Sequence, residues 1–435
     1  MKKILLCGTH IHQYNGYSKI VYEILYHLGF YKDIHITLFG FQNFYTDDIQ
    51  HHRNRIIPHI NIDIIDPYKY ETYGKTKEEL LKTPNKGLNS GFGEHLIVDI
   101  ITLVKPDIVI IYNDPGVILN LYRQIFNISD ENSQSVKFKK NLKFQNIKFI
   151  PYLDIVYPNM NNRYLKIINE LSDDIIFFSK SWQKMGWQFK DKKGTLLNHG
   201  INVYNYFPVD ESLACQLLKL NENAFKILNL NRNQPRKQLD IAIRGYIYII
   251  NKYNLLNSNI IFIIGTSLSD SWDIKDIIEQ ESYEYELDIE KLSQRFQIID
   301  KPQMRTDLEI NLYYNACQIG INSCNGEGFG LCNFEHAAIG KPQIVSNVGT
   351  FNEIFNKDNS ILINPITTSY IPHMEHGLSG ETDICNYKEF GEAIYTYYKN
   401  DELREKHGKN CRKTILKNYK WNEHIKNFHN YLISI

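Results

Sequence analysis

Short apolar runs alternate with amphipathic stretches along this chain, and the alternation begins afresh near residue 200. In the first half, residues 3–7, 34–40, 107–112, 148–153 and 174–179 read as strands. Residues 17–28 have helical spacing, with Ile20, Val21, Ile24, Leu25 and Leu28 on one face, and 95–104 follow suit. The second half repeats the pattern. It has strands at 224–230, 259–265 and 296–299 and helical stretches at 239–250, 272–292, 306–317, 387–398 and 402–419. Strands apolar on both faces, separated by amphipathic helices, belong in a parallel sheet covered on both sides. The expected class is α/β: two αβα domains facing across a cleft, with ligands at the C-terminal ends of the strands.

A length of 435 residues suits two domains rather than one core. The turn Asn198-His199-Gly200-Ile201-Asn202 sets the boundary near 200–212. Polar stretches at 68–92, 129–146 and 364–384 read as surface insertions. Lys and Arg total 49, as do Asp and Glu, so there is no global electrostatic case for a nucleic-acid partner. Seven cysteines without a CxxC pair read as reduced thiols of a cytoplasmic protein. The first apolar run is too short for a signal peptide, and none reaches the ~18 residues of a membrane span. The mixed-charge stretch 402–420 reads as a solvated helix face, with peripheral membrane contact left open.

The chemistry concentrates in residues 319–355, where an apolar strand, a glycine-rich turn, a short helix and a second strand follow one another. Gly326, Gly328 and Gly330 permit close backbone approach and positive φ. The helix starts near Leu331, and Gly340-Lys341-Pro342 stops it. Its first-turn N–H groups and its dipole favour an anion, so a diphosphate suits residues 329–331. Glu327 stands just before the helix, and Glu335 about one turn into it, placed to accept ribose hydroxyls. The first strand–loop–helix offers Asn15-Gly16 at its helix start. The strand at 224–230 is followed by Arg232, Arg236 and Lys237; Arg232 and Lys237 suit a diphosphate, whereas Arg236 is expected in solvent. His10 with His12 and His373 with His376 lack a third ligand, so no metal centre is expected, and His51-His52-Arg53 reads as surface.

Four segments together resemble the retaining GT-B glycosyltransferases of family 4 (glycosyl transferases group 1). They are the loop at 15–17, Asn198 to Asn202 leading to Phe207-Pro208, Arg232 with Lys237, and Glu327-Gly-Phe-Gly-Leu followed by Glu335. The resemblance covers most of 1–30 and 195–420. It implies GT-B, two Rossmann-like αβα domains: 1–200 for the acceptor, 201–415 for the sugar-nucleotide donor, and a terminal helix at 416–435 packing back on the first. It implies a hexosyltransferase-type enzyme that retains configuration and needs no metal or cofactor beyond the sugar nucleotide. Glycan, lipid, protein and small molecule all stay open as acceptors.

Carried onto this chain, Arg232 and Lys237 neutralise the donor phosphates, and Glu327 contacts the transferred sugar. Gly328, Phe329, Gly330 and Leu331 line the donor, and Glu335 holds the ribose. Asn15-Gly16 stands where the family usually has two glycines. Asp154, where many members have a histidine, is expected to face the donor sugar or the acceptor hydroxyl. A catalytically silent sugar-nucleotide-binding protein remains an alternative, as does a GT-B phosphorylase, although no pyridoxal-binding lysine is signalled. Residues 4–16 lack G-x-G-x-x-G, which argues against a dehydrogenase.

Overall fold

The computed structural model describes residues 1–43, 55–72, 91–128, 144–158, 162–185, 192, 194–268, 270–371 and 380–435. Most of the insertions 68–92 and 129–146 lies outside the described residues, as do His51, His52, Arg53, His373 and His376.

Seven strands form the first sheet: β1 Lys2–Thr9, β2 Ile34–Phe41, β3 Ile62–Ile65, β4 Ile108–Asn113, β5 Lys148–Leu153, β6 Ile176–Phe177 and β7 Thr195–Leu196. Their spatial order is β3-β2-β1-β4-β5-β6-β7, all parallel. The second sheet holds β8 Phe225–Asn229, β9 Ile260–Gly265, β10 Phe296–Ile299, β11 Ile319–Asn322, β12 Gln343–Ser346 and β13 Ser360–Ile363. It runs β10-β9-β8-β11-β12-β13, again parallel throughout. These are two Rossmann-like domains. In each, the strand order reverses beside the first strand, between β1 and β4 and between β8 and β11, and such a reversal opens a crevice at the C-terminal strand ends. Ile4, Leu5, Leu6 and Cys7 of β1 are buried, as a strand covered on both faces requires.

The chain crosses between domains twice, side by side. Ile201 N–H donates to Tyr419 O at 2.9 Å, and a Cβ on Gly200 would lie 2.6 Å from the Trp421 ring. After the second crossing the helix Trp421–Ser434 lies against the first domain. Tyr431 OH donates to Asp174 Oδ2 at 2.7 Å, and Lys2 Nζ donates to Leu432 O at 3.0 Å.

Two expectations need correction. The stretch 272–292 is two helices, Ile274–Glu284 and Ile289–Ser293, because Glu286 turns left-handed (φ 52°) and Asp288 caps a new start. The stretch 364–384 is not a plain polar loop. It forms an antiparallel hairpin, β14 Pro365–Ile371 with β15 Gly380–Cys385. All seven cysteines are unpaired, six of them buried. Among the described residues no helix is long and apolar enough to cross a membrane.

Candidate active site

The glycine loop runs from the end of β11 to the helix Leu331–Ala338 at the mouth between the domains. Gly330 starts that helix at φ 79°, ψ 48°, a left-handed conformation that glycine adopts without strain. Gly328 is glycine for a different reason. A Cβ there would collide with Oδ1 of Asp154, which belongs to the other domain. Gly328 O is held from both sides, by Trp182 Nε1 at 3.1 Å and by Thr350 Oγ1 at 2.5 Å. Phe329 is buried against His199 and Phe334, so only its backbone is available to a ligand.

Glu327, only 5% exposed, is the centre of an ionic cluster. Lys237 Nζ pairs with its Oε2, Arg236 Nη1 stands 3.4 Å from its Oε1, and Asn322 Nδ2 donates to Oε2 at 3.3 Å. Burial alone would raise this carboxyl. Lys237 and Arg236 together outweigh burial and hold it at about 2. Glu327 is therefore a fixed anion, and two cations are already gathered at the helix start.

Arg236 corrects the expectation that it lies in solvent. It is half-buried, donates to Gly326 O at 3.1 Å, and Glu327 strengthens its positive charge against the effect of burial. The cause is the 3₁₀ turn Pro235–Lys237, which brings two consecutive side chains to one carboxylate. Arg232 is exposed on the preceding loop, with no side-chain hydrogen bond or ion pair to the described residues. Beneath the cluster Asn322 also donates to Asn333 Oδ1 at 2.9 Å, and its own Oδ1 accepts from Cys324 N at 3.1 Å. Nothing in the sequence marks this strand-end amide as the residue that orients Glu327.

Glu335 is buried and already partnered. Lys19 Nζ lies 2.6 Å from its Oε1, and Tyr314 OH donates to Oε2 at 3.0 Å. Burial pushes its carboxyl up, with Lys19 opposing. Lys19 belongs to the helix Gly16–Leu28 of the first domain, where Asn15 is the N-cap and its Oδ1 accepts from Ser18 N at 2.8 Å. A Cβ on Gly16 would lie 3.1 Å from Leu331 Cδ1, so the two helix starts meet face to face. A shallow recess beside them is lined by Lys19, Glu23, Asn202, Tyr206, Leu331 and Glu335.

Asp154 stands just past the end of β5 and its N–H donates to Asn113 O at 3.0 Å. Burial raises its carboxyl to about 6, while a hydrogen bond from Tyr17 and the charge of Arg236 hold it down. Neither Tyr17 nor Lys19 was signalled by sequence, since each is one polar position on an amphipathic helix. His10 and His12 contact each other, and His12 Nε2 lies 3.2 Å from Arg55 O. Among the described residues no three His, Cys, Asp or Glu side chains gather as metal ligands would.

Residues 216–414 match the family described as glycosyl transferases group 1. That segment contains Arg236, Lys237, Glu327 and Glu335. Several solved structures share the fold across the whole chain. A sucrose-phosphate synthase from Thermosynechococcus elongatus is 16% identical with a TM-score of 0.68, covering 100% of this chain and 99% of that one. The Anabaena HepE protein in complex with UDP and glucose is 14% identical with a TM-score of 0.63, covering 100% of both. A TarM mutant from S. aureus, in complex with fondaparinux, alpha-GlcNAc-glycerol and UDP, is 13% identical with a TM-score of 0.63, covering 99% and 100%. No curated protein matches the sequence. At these identities the structural likeness establishes the fold, GT-B. The domain match and the fold together support a glycosyltransferase.

Proposed function

We propose that the protein transfers a hexose-type sugar from a nucleotide-diphosphate donor to a hydroxyl, with retention of configuration. The donor sits on the second domain and the acceptor enters from the first. The observation that carries this reading is the meeting of Lys237, Arg236 and Glu327 at the start of the helix Leu331–Ala338, opposite Asp154.

In this reading the diphosphate lies on the N–H groups at 329–331, where the helix dipole favours an anion. Lys237, Arg236 and the exposed Arg232 supply the counter-charge, so no metal enters. Glu327 accepts hydrogen bonds from the transferred sugar, and Glu335 takes the ribose hydroxyls beside Lys19. The bond from the anomeric carbon to the phosphate oxygen breaks, and the acceptor oxygen bonds to that carbon on the same face. The acceptor proton passes to the departing phosphate oxygen. Negative charge grows on the leaving group as the bond breaks, so the cations and helix start stabilise the transition state more than the ground state. Asp154, across from Gly328, accepts a hydrogen bond from the sugar or the incoming hydroxyl.

UDP-glucose is the first donor to test, because the HepE relative is seen with UDP and glucose. Incubation with UDP-, GDP- and ADP-sugars, followed by NMR of the new anomeric centre, tests the reaction. Retained configuration is expected. An inverted product overturns the stereochemistry, and a chain that turns over no donor overturns the function.

A further inference from the structure

The β14–β15 hairpin has no part in the reaction described above, yet it borders the site. β15 is tied to both domains through its outer edge: Glu381 N–H donates to Pro158 O at 3.1 Å, and Asp383 N–H to Asn325 O at 3.0 Å. Pro158 lies shortly after Asp154, and Asn325 shortly before Glu327. The hairpin therefore flanks the gap where those two carboxylates face each other.

The register pairs Tyr370 with Glu381 and Thr368 with Asp383. Directly paired residues point to the same side of a sheet, and alternate positions share that side. Thr368, Tyr370, Glu381 and Asp383 thus stand on one face. The opposite face carries Gly380 and Thr382, both buried, beside the exposed Ser369, so it packs on the protein along β15 and is open along β14. On the open face Tyr370 is 68% exposed, Thr368 is exposed and the two acids are half-buried. Burial first, and then Glu381, push the Asp383 carboxyl up.

We propose that this face is a platform that seats a sugar acceptor, an assignment that rests on the glycosyl-transfer reading. Carboxylates accept strong hydrogen bonds from sugar hydroxyls, and an exposed phenol ring packs on the apolar C–H side of a sugar while its own hydroxyl stays wet. The two backbone bonds tie the platform to the segments that carry Asp154 and Glu327, and the proposal places the reacting hydroxyl between them. Acceptor choice then lies partly on the second domain, not on the first alone.

Two variants test the platform. Tyr370→Ala removes the ring. Glu381→Pro deletes the N–H that reaches Pro158, and because that N–H points away from β14 the hairpin ladder keeps its bonds. The assay uses UDP-glucose, or whichever donor the panel above identifies, with p-nitrophenyl glucosides, galactosides and mannosides as acceptors. Both variants are expected to raise the acceptor KM at least tenfold while the donor KM stays within twofold, and Tyr370→Phe, which keeps the ring, restores the acceptor KM. An unchanged acceptor KM in both variants overturns the platform. So does a donor KM that rises in step, since the hairpin would then act only as a brace for the glycine loop. A wild-type chain that hydrolyses its donor but transfers to none of these sugars overturns the platform and leaves the donor reading intact. A wild-type chain that turns over no donor overturns both.

Discussion

The Lys19 ammonium lies 2.6 Å from Oε1 of Glu335, and it reaches that carboxylate from the other domain. Tyr206 OH accepts from the same ammonium at 2.6 Å. The carboxylate side chain is 4% exposed and the lysine 21%, so the pair is sealed on one side and wet on the other. Removing one member of a buried pair strands the other charge, at a cost of about 3–5 kcal/mol in comparable cases. The wet lysine edge places this pair at the low end, ~3 kcal/mol. Lys19→Met should lower stability by that amount in urea unfolding, and Glu335→Gln added to it should recover most of the loss. A double variant no more stable than the single one contradicts the buried-pair account.

The cation cluster makes a kinetic prediction. Lys237→Ala should cut turnover ~10²-fold or more, the scale on which preorganised donors to a developing anion act. Arg236→Ala should cost a similar factor because its guanidinium shares Glu327 with Lys237. Arg232→Ala tests whether the exposed guanidinium joins them when a donor is bound. Turnover unchanged in both Arg232→Ala and Lys237→Ala sinks the diphosphate assignment.

Asp154 sets the expected acid limb. Its folded pKa of about 6 means that the carboxylate gains its proton as pH falls through 6. If the anion accepts a substrate hydroxyl, kcat/KM falls about tenfold per pH unit below that point. Asp154→Asn should abolish the limb. Tyr17→Phe removes a hydrogen bond that favours the anion, so it should move the limb to higher pH. A profile flat between pH 5 and 7 in the wild type, on the order of the range that His and perturbed acids span, contradicts this role.

His199 predicts how the fold responds to acid. It sits among Phe178, Phe329, Tyr152 and Trp421, and neither ring nitrogen has a hydrogen-bond partner among the described residues. Burial lowers its pKa from 6.5 to about 3. Between those values the unfolded chain binds a proton that the folded chain refuses, so stability drops as pH falls from 6.5 towards 3. Each pH unit costs ~1.4 kcal/mol for one such group. Urea unfolding at stepped pH measures it, and His199→Phe, which suits the aromatic surroundings, should shallow the slope. An unchanged slope contradicts the assignment to His199.

The strands were legible because a parallel sheet leaves each one apolar on both faces; β1, β4, β5 and β9 show it plainly. The glycine loop was legible because backbone geometry restricts residue type, as Gly328 and Gly330 illustrate. Arg236 was not, since its place depends on a 3₁₀ turn that periodicity does not register. Lys19 and Tyr17 were hidden for another reason. On a helix surface, a residue that reaches across to a second domain looks the same as one that reaches into water. The β14–β15 hairpin escaped notice because its strands carry Thr, Ser, Tyr and acids, with no apolar alternation to read.

Thermal unfolding with UDP, GDP, ADP and their sugars, run on the wild type and on Lys237→Ala, is the most direct test of the central claim that this cleft holds a nucleotide diphosphate. Ligand at about a hundredfold over Kd adds ~2.7 kcal/mol to the native state, enough to raise the wild-type midpoint by several degrees. The account predicts such a rise with at least one of these nucleotides and its loss in Lys237→Ala. No shift with any of them, or an equal shift in the variant, would contradict it.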